Sequence, residues 1–316
     1  MRAYKKYVNT VVFIIIVLIS FNIDHNPFTM HDIIPSIYVN QSKDPLYEEI
    51  KAKAANDIYI VKPENAYIDR VWKKTPGRNG KEINIEKSFQ NMKKSEKYSD
   101  ELLVYNQTRP EISLEDLPSS PIYRGHPEKQ MVAFNINVSW GAEHIPNILE
   151  ILKEHKIKVS FFIEGKWARE NAELVKMIHE QGHLIGNHAY NHPDMARIST
   201  EEIHKQISQT NEILTAIIGE QPKYFAPPSG SFTDQVVQKA TELNMETILW
   251  TTDTIDWKNP SVSVMINRVN GNIHPGAIVL MHPTSVIVNG LDEMITLIKE
   301  KGYKLGRIDN LLSEER

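Results

Sequence analysis

The chain contains no cysteine. That excludes disulfides, a thiolate nucleophile, Cys-ligated zinc and a lipid-modified N-terminal cysteine. Any metal site must be built from imidazole and oxygen ligands. An excess of one charge sign is also missing. Thirty-six Lys and Arg against 40 Asp and Glu leave a net charge of −4, which gives no footprint for a polyanion, so no nucleic-acid partner is expected. No internal repeat is found, which sets solenoids and propellers aside. The remaining composition is that of an ordinary globular protein, 41% hydrophobic and 24% charged. At 316 residues the chain can hold one large domain and a smaller one.

The one long apolar run is N-terminal. Arg2, Lys5 and Lys6 precede an uncharged stretch over residues 7–23. A basic start followed by an apolar run has the form of an export signal. The run is near the lower limit for a membrane-spanning helix, roughly 17 residues. No small-x-small cleavage site comes after it. Residues 1–25 are therefore read as a signal-anchor, with a cleaved signal peptide as the alternative. The rest of the chain is expected outside the cytoplasm, anchored or secreted.

Prolines and changes of period divide the remaining 26–316. Residues 26–43 read as a tether, and 44–105 as a small α+β domain. Residues 106–130, with four prolines, read as a linker or wrapping segment. From residue 131 to the end the pattern alternates strand and helix. The helix signals include Gly182 just past one helix and a Ser199-Thr-Glu-Glu202 capping box. About seven strands alternating with helices predict a parallel sheet closed into a distorted (β/α) barrel.

The strongest chemical signal is Gly186-Asn187-His188-Ala189-Tyr190-Asn191-His192-Pro193-Asp194-Met195. It lies just after a short apolar strand, and Pro193 stops any helix from running through it. Two imidazoles four apart on such a loop can reach one divalent metal, a carboxylate from elsewhere completing the set. Taken alone, they could equally be surface histidines in a chain with twelve. Four more loops carry reactive residue types at expected strand ends. These are Asn135-Ile136-Asn137-Val138-Ser139-Trp140-Gly141, Phe225-Ala226-Pro227-Pro228-Ser229-Gly230, Thr252-Asp253-Thr254-Ile255-Asp256-Trp257, and Leu280-Met281-His282-Pro283. Five such loops in order, where α/β folds build sites, outweigh the structural reading of each alone.

Over residues 131–312 the sequence resembles the polysaccharide deacetylases, the NodB-homology domain of carbohydrate esterase family four. GNHAYNHPDM and APPSGSF carry the resemblance. It implies metal-dependent hydrolysis of N-acetyl groups on a cell-wall glycan such as peptidoglycan or a chitin-like polymer. His188 and His192 would be the metal-binding histidines. His282 would protonate the leaving amine, and Asp256 would orient it. Trp257 would shape the acetyl pocket, and Pro227, Pro228 and Gly230 would form the groove wall. Zinc is the first expectation for the metal, with cobalt or nickel as alternatives by ligand type and an empty site in purified protein as a further outcome.

The departures from the family pattern matter equally. The family's first motif carries two aspartates, a general base and a metal ligand. Here Asn135 occupies the base position, and Asn137 the ligand position if one residue intervenes, or Ile136 if the two are adjacent. An amide cannot take a proton at neutral pH, and general-base catalysis is worth about 10²–10⁴-fold. Ala226 stands where the family has an arginine paired with the base. Losing both charges together is electrostatically coherent, because a semi-buried arginine without its partner is costly. The sequence thus predicts a weak or inactive deacetylase-family protein. A non-catalytic glycan-binding or scaffold protein of the envelope is the alternative. A rearranged enzyme using Glu143 as a substitute carboxylate is a third reading. Cell-wall glycan and the membrane are the expected partners, and a monomer the expected state.

Overall fold

The structure is a computed structural model and describes residues 44–316. The apolar run and the tether lie outside the described residues. Among those described, no helix is long and apolar enough to cross a membrane.

The described chain forms two compact units. One holds residues up to Lys53 together with Ile85–Leu103, and the other Ala54–Asn84 together with Val104–Arg316. The boundaries read from sequence place 44–105 in one small domain; the structure divides that span between the two units. In the first unit, helices Pro45–Ala54 and Ile85–Met92 bury Leu46, Ile50, Phe89 and Met92. The Tyr47 ring meets Phe89 edge-on at 5.4 Å, and its hydroxyl donates to Glu86 Oε1 at 2.7 Å.

The second unit begins with two antiparallel pairs. β1 (Tyr67–Asp69) pairs β2 (Lys73–Thr75), and β3 (Gly80–Ile83) pairs β4 (Tyr105–Thr108). The main sheet comes next along the chain: β5 (Met131–Val138), β6 (Ser160–Ile163), β7 (Leu184–Asn187), β8 (Tyr224–Phe225), β9 (Glu246–Thr247), β10 (Thr252–Asp253), β11 (Ile278–Met281) and β12 (Lys304–Gly306). Its order is β10-β11-β5-β6-β7-β8-β9, with β12 beside β5, and every pairing is parallel. This is the curled parallel sheet expected of a distorted (β/α) barrel. β9 and β10 are two-residue pieces separated by an irregular stretch, and β12 is followed by a helix, Ile308–Leu312.

The alternation of β5 sorts its side chains. Val132, Phe134, Ile136 and Val138 pack outward with Ile148, Leu149 and Leu152 of helix Ile145–Glu154 and with Leu291 and Ile295 of helix Ser285–Glu300. Ala133 faces inward, among Phe162, Ala226, Ile248 and Ile278. Asn135 and Asn137 share the Ala133 face. Phe162 lies so close to β7 that a Cβ on Gly186 would sit 2.5 Å from its ring, so only glycine fits there.

β10 and β9 are the two ends of the sheet path. Ile122 lies against the β9 end: its N–H donates to Thr247 O, and its carbonyl accepts from Leu249 N–H, both at 2.8 Å. Its side chain is fully buried in the inner cluster. Nearby, Gly125 N–H donates to Gly276 O at 2.8 Å, and Lys74 Nζ lies 2.6 Å from Glu246 Oε1. The C-terminus ties residues 64–79 down: Asn79 N–H donates to Glu314 O at 2.7 Å, and Arg316 Nη2 pairs Glu64 Oε1 at 2.6 Å.

Candidate functional site

The parallel sheet puts the C-terminal ends of β5, β7, β8, β10 and β11 at one mouth, and each of the five loops read from sequence departs from that end. They enclose a cavity of about 380 Å³. Asn137, His188, His192, Trp257 and His282 all line it. Asn135 does not reach the wall; it lies fully buried two residues below Asn137. The sequence reading puts both asparagines on a loop, but β5 runs through them to Val138, which fixes their direction. Ile136 points into the outer apolar layer, so the position beside Asn135 on the inner face is Asn137. Neither atom of the Asn135 amide has a hydrogen-bond partner, and neither does Asn137 Oδ1.

The histidine loop is held from below. Asn187 Nδ2 donates to Ile207 O and Asn211 Oδ1, and Asn187 Oδ1 accepts from Ala189 N–H. Gln206 Oε1 accepts from Tyr190 and Asn191 N–H. Ala189 and His192 both take left-handed backbone, with φ of 60° and 57°. That double reversal brings the His192 ring to 5.2 Å from His188. His188 is buried, and its Nδ1 lies 2.7 Å from Ala226 O. A carbonyl can only accept, so Nδ1 carries the proton and Nε2 keeps its lone pair. Burial first, and the neighbouring His192 second, push the His188 pKa down to about 3. Burial lowers His192 as well. Both imidazoles are neutral at physiological pH.

Across the cavity, Asp256 is buried and saturated. Its Oδ1 accepts from Thr254 Oγ1 at 2.7 Å and His282 Nδ1 at 3.1 Å. Its Oδ2 accepts from Thr284 Oγ1 at 3.0 Å and His282 N–H at 3.1 Å. This fixes the His282 tautomer and leaves Nε2 free. Trp140 stacks on the His282 ring at 5.8 Å and 11°.

The proline loop enters differently from its sequence reading. Ser229, in left-handed backbone, lines the cavity, while Pro227, Pro228 and Gly230 do not. A Cβ on Gly230 would sit 2.9 Å from Trp250, which is itself on the wall. Ser229, Asp253 and Leu280 of the loops read from sequence also line the wall, with no role assigned to them from sequence; Trp250 lies outside those loops. Trp250 reads as strand interior, and only the break between β9 and β10 turns it toward the cavity. Glu143 is not at the cavity: its side chain is 73% exposed and lies 3.7 Å from His144 Nε2.

The donor set does not fit a divalent metal well. It offers two neutral imidazoles and an amide oxygen, and among the described residues no carboxylate completes a set with them. One trio of His, Asp or Glu ligand atoms among the described residues lies within 4.8 Å of one another, Glu64, His126 and Glu128, and it includes neither cavity histidine. That trio is already an ion-pair network with Arg78 and Arg316. Two further cavities, of about 480 and 310 Å³, share Lys223, Tyr224 and Asp309. Lys223 and Tyr224 mark the opposite, N-terminal end of β8, away from the five loops.

Known proteins similar to this chain share one family. A family model described as polysaccharide deacetylase matches residues 124–248. The Bacillus subtilis protein YlxY is 48% identical over 317 residues, covering 99% of each chain. A peptidoglycan-N-acetylglucosamine deacetylase of Bacillus cereus is 36% identical over 201 residues, 61% of this chain and 73% of that one. A solved structure described as a family four carbohydrate esterase pseudoenzyme from Bacillus anthracis superposes with a TM-score of 0.80 at 50% identity, covering 86% of this chain and 96% of that one. A mutant of that protein, described as having restored enzymatic activity, gives 0.80 at 49% identity over 86% and 99%. On these matches, and on the five loops gathered at one mouth of the sheet, the chain belongs to the polysaccharide deacetylase family.

Proposed function

We propose that the protein is a cell-envelope member of this family that binds N-acetylated cell-wall glycan and has lost efficient deacetylation. The observation that carries the reading is the pair Asn135 and Asn137, side by side on the inner face of β5 where hydrolysis needs carboxylates. Asn135 can accept no proton from water, and the general base it replaces is worth about 10²–10⁴-fold. With Ala226 buried in place of an arginine, the base and its counter-charge are absent together. The description of the Bacillus anthracis relative as a pseudoenzyme supports this, as does a mutant of it with restored activity.

The other half of the machinery is intact. Asp256 still orients His282, whose free Nε2 faces the cavity, and Trp257 still forms a wall. Such a cavity can hold a sugar without cleaving it. Export across the membrane, through the N-terminal apolar run, would bring it to the glycan. Among the described residues, the one carboxylate on the wall is Asp253, and its Oδ1 is engaged by Ile255 N–H at 2.8 Å.

The test is acetate release from an N-acetylglucosamine oligomer with added zinc. The wild type is expected to release at least about a hundredfold less than the Asn135→Asp, Asn137→Asp double variant. Wild-type turnover equal to the variant's would reject the reading and point to Asp253 as the base.

A further inference from the structure

The amide pair does more than remove a base. Resting on the glycan-binding reading above, we infer that this cavity takes the acetamido group of an N-acetylated sugar as a neutral, hydrogen-bonded ligand without any divalent cation.

The first ground is charge. A divalent cation entering this cavity would give up its water for two neutral imidazoles and an amide oxygen. Among the described residues, no carboxylate joins His188 and His192 in a set of ligand atoms within 4.8 Å. Cations that lose hydration are held best where anionic ligands offset the loss, more so where the ligands are buried as His188 is. Asp256, the fully buried carboxylate of the machinery, has both oxygens committed to four donors.

The second ground is unmet hydrogen bonding. Asn137 Oδ1 is buried, on the wall and without a partner. His188 Nε2 holds a lone pair, because Nδ1 is spent on Ala226 O. Buried acceptors without donors are unfavourable, and a ligand that supplies the donor is correspondingly favoured. An acetamido group has one N–H donor, one carbonyl acceptor and a methyl. Its N–H matches Asn137 Oδ1. The Ser139 hydroxyl, next along the same inner face, can donate to its carbonyl. Leu280 and Trp250 offer the methyl an apolar wall. At the rim, Trp140 and Trp257 are 45% and 53% exposed, large aromatic faces of the kind on which sugar rings stack.

Removal of the acetyl group would leave an ammonium, which must give up its hydration beside neutral imidazoles and has neither a carbonyl for the Ser139 hydroxyl nor a methyl to bury against Leu280 and Trp250. The cavity should therefore discriminate against the deacetylated sugar.

The experiment is a titration of the full chain monitored by tryptophan fluorescence, using the tetramer of N-acetylglucosamine and the tetramer of glucosamine, each in EDTA and in excess zinc. Wild type is expected to bind the acetylated tetramer equally in both buffers, within about twofold, and the glucosamine tetramer about tenfold more weakly. Asn137→Ala should weaken the acetylated tetramer about tenfold, and Asn137→Asp should make binding zinc-dependent. Binding that appears only with zinc would overturn the inference and leave the glycan-binding reading standing. Equal affinity for the two tetramers would overturn acetamido recognition. No binding of either tetramer in either buffer would overturn both.

Discussion

Replacing Asn135 by aspartate tests how the inner face of β5 handles charge. Asn135 is fully buried, and neither of its amide atoms is bonded. A carboxylate there would be desolvated with no cation beside it, because Ala226 supplies none. Full burial raises a carboxylate pKa by up to 3–5 units, and taking about 3 units gives 3 × 1.36, or about 4 kcal/mol. The sign comes from proton counting. The folded variant holds its proton above the unfolded carboxylate pKa, so the destabilisation is small near pH 4 and grows as pH rises toward the folded pKa. Urea unfolding of wild type and Asn135→Asp at pH 4.5 and 7.5 should give a gap of about 1 kcal/mol at the lower pH and about 4 kcal/mol at the higher. Adding Ala226→Arg supplies a counter-charge at the cost of overpacking, about 1–3 kcal/mol, among Ala133, Phe162 and Ile248. The two changes should therefore couple favourably by about 1–3 kcal/mol at pH 7.5 and not at pH 4.5. The same gap at both pH values would refute the argument, because the cost would then be steric rather than electrostatic.

Three further outcomes rest on the packing. Ile122→Ala empties a fully buried position of the inner cluster and should cost about 2–5 kcal/mol by denaturant unfolding; a loss below about 1 kcal/mol would mean the segment merely rests on the surface. Lys74 is 3% exposed and paired with Glu246 at 2.6 Å, so Glu246→Ala should cost more than Lys74→Met, the first leaving a buried charge alone and the second removing it; thermal melts giving the reverse order would contradict this. His183, whose pKa burial pushes down to about 4, binds its proton in the unfolded chain but not in the folded one between about pH 6.5 and 4. Stability therefore falls by about 3 kcal/mol as pH falls through that window, and the profile of His183→Gln, compared with wild type across it, should be flatter by that amount.

Much of the barrel can be read from the sequence because helices and strands there differ in period, and because Pro193, Gly182 and Ser199 punctuate them. The five loops are legible for the same reason: each comes directly after an apolar strand. Hidden from the sequence is whatever short strands and distant pairing decide. Nothing local marks Ile122 as part of the inner cluster; its partners Thr247 and Leu249 lie far along the chain. The sequence leaves Asn137 and Ile136 as alternatives, and only the extension of β5 to Val138 chooses between them by its alternation. Ser229 and Trp250 reach the cavity through a left-handed residue and a broken strand, neither of which composition announces. Glu143 is near in sequence and is turned to solvent by the left-handed Gly141, whose Cβ would collide with Pro283 O at 2.1 Å.

The contact of Ile122 with Thr247 and Leu249 also sets an order of events. During synthesis the residue leaves the ribosome long before its partners exist, so it must wait exposed or sheltered elsewhere until β9 has formed. Closing so long a loop is entropically slow, which makes this docking a late step of folding. Until it happens, β9 at the edge of the sheet carries unpaired backbone groups that another chain could capture. A fragment beginning at β5 would keep the catalytic-face loops and lose this guard, and its characteristic failure would be edge-to-edge aggregation rather than unfolding.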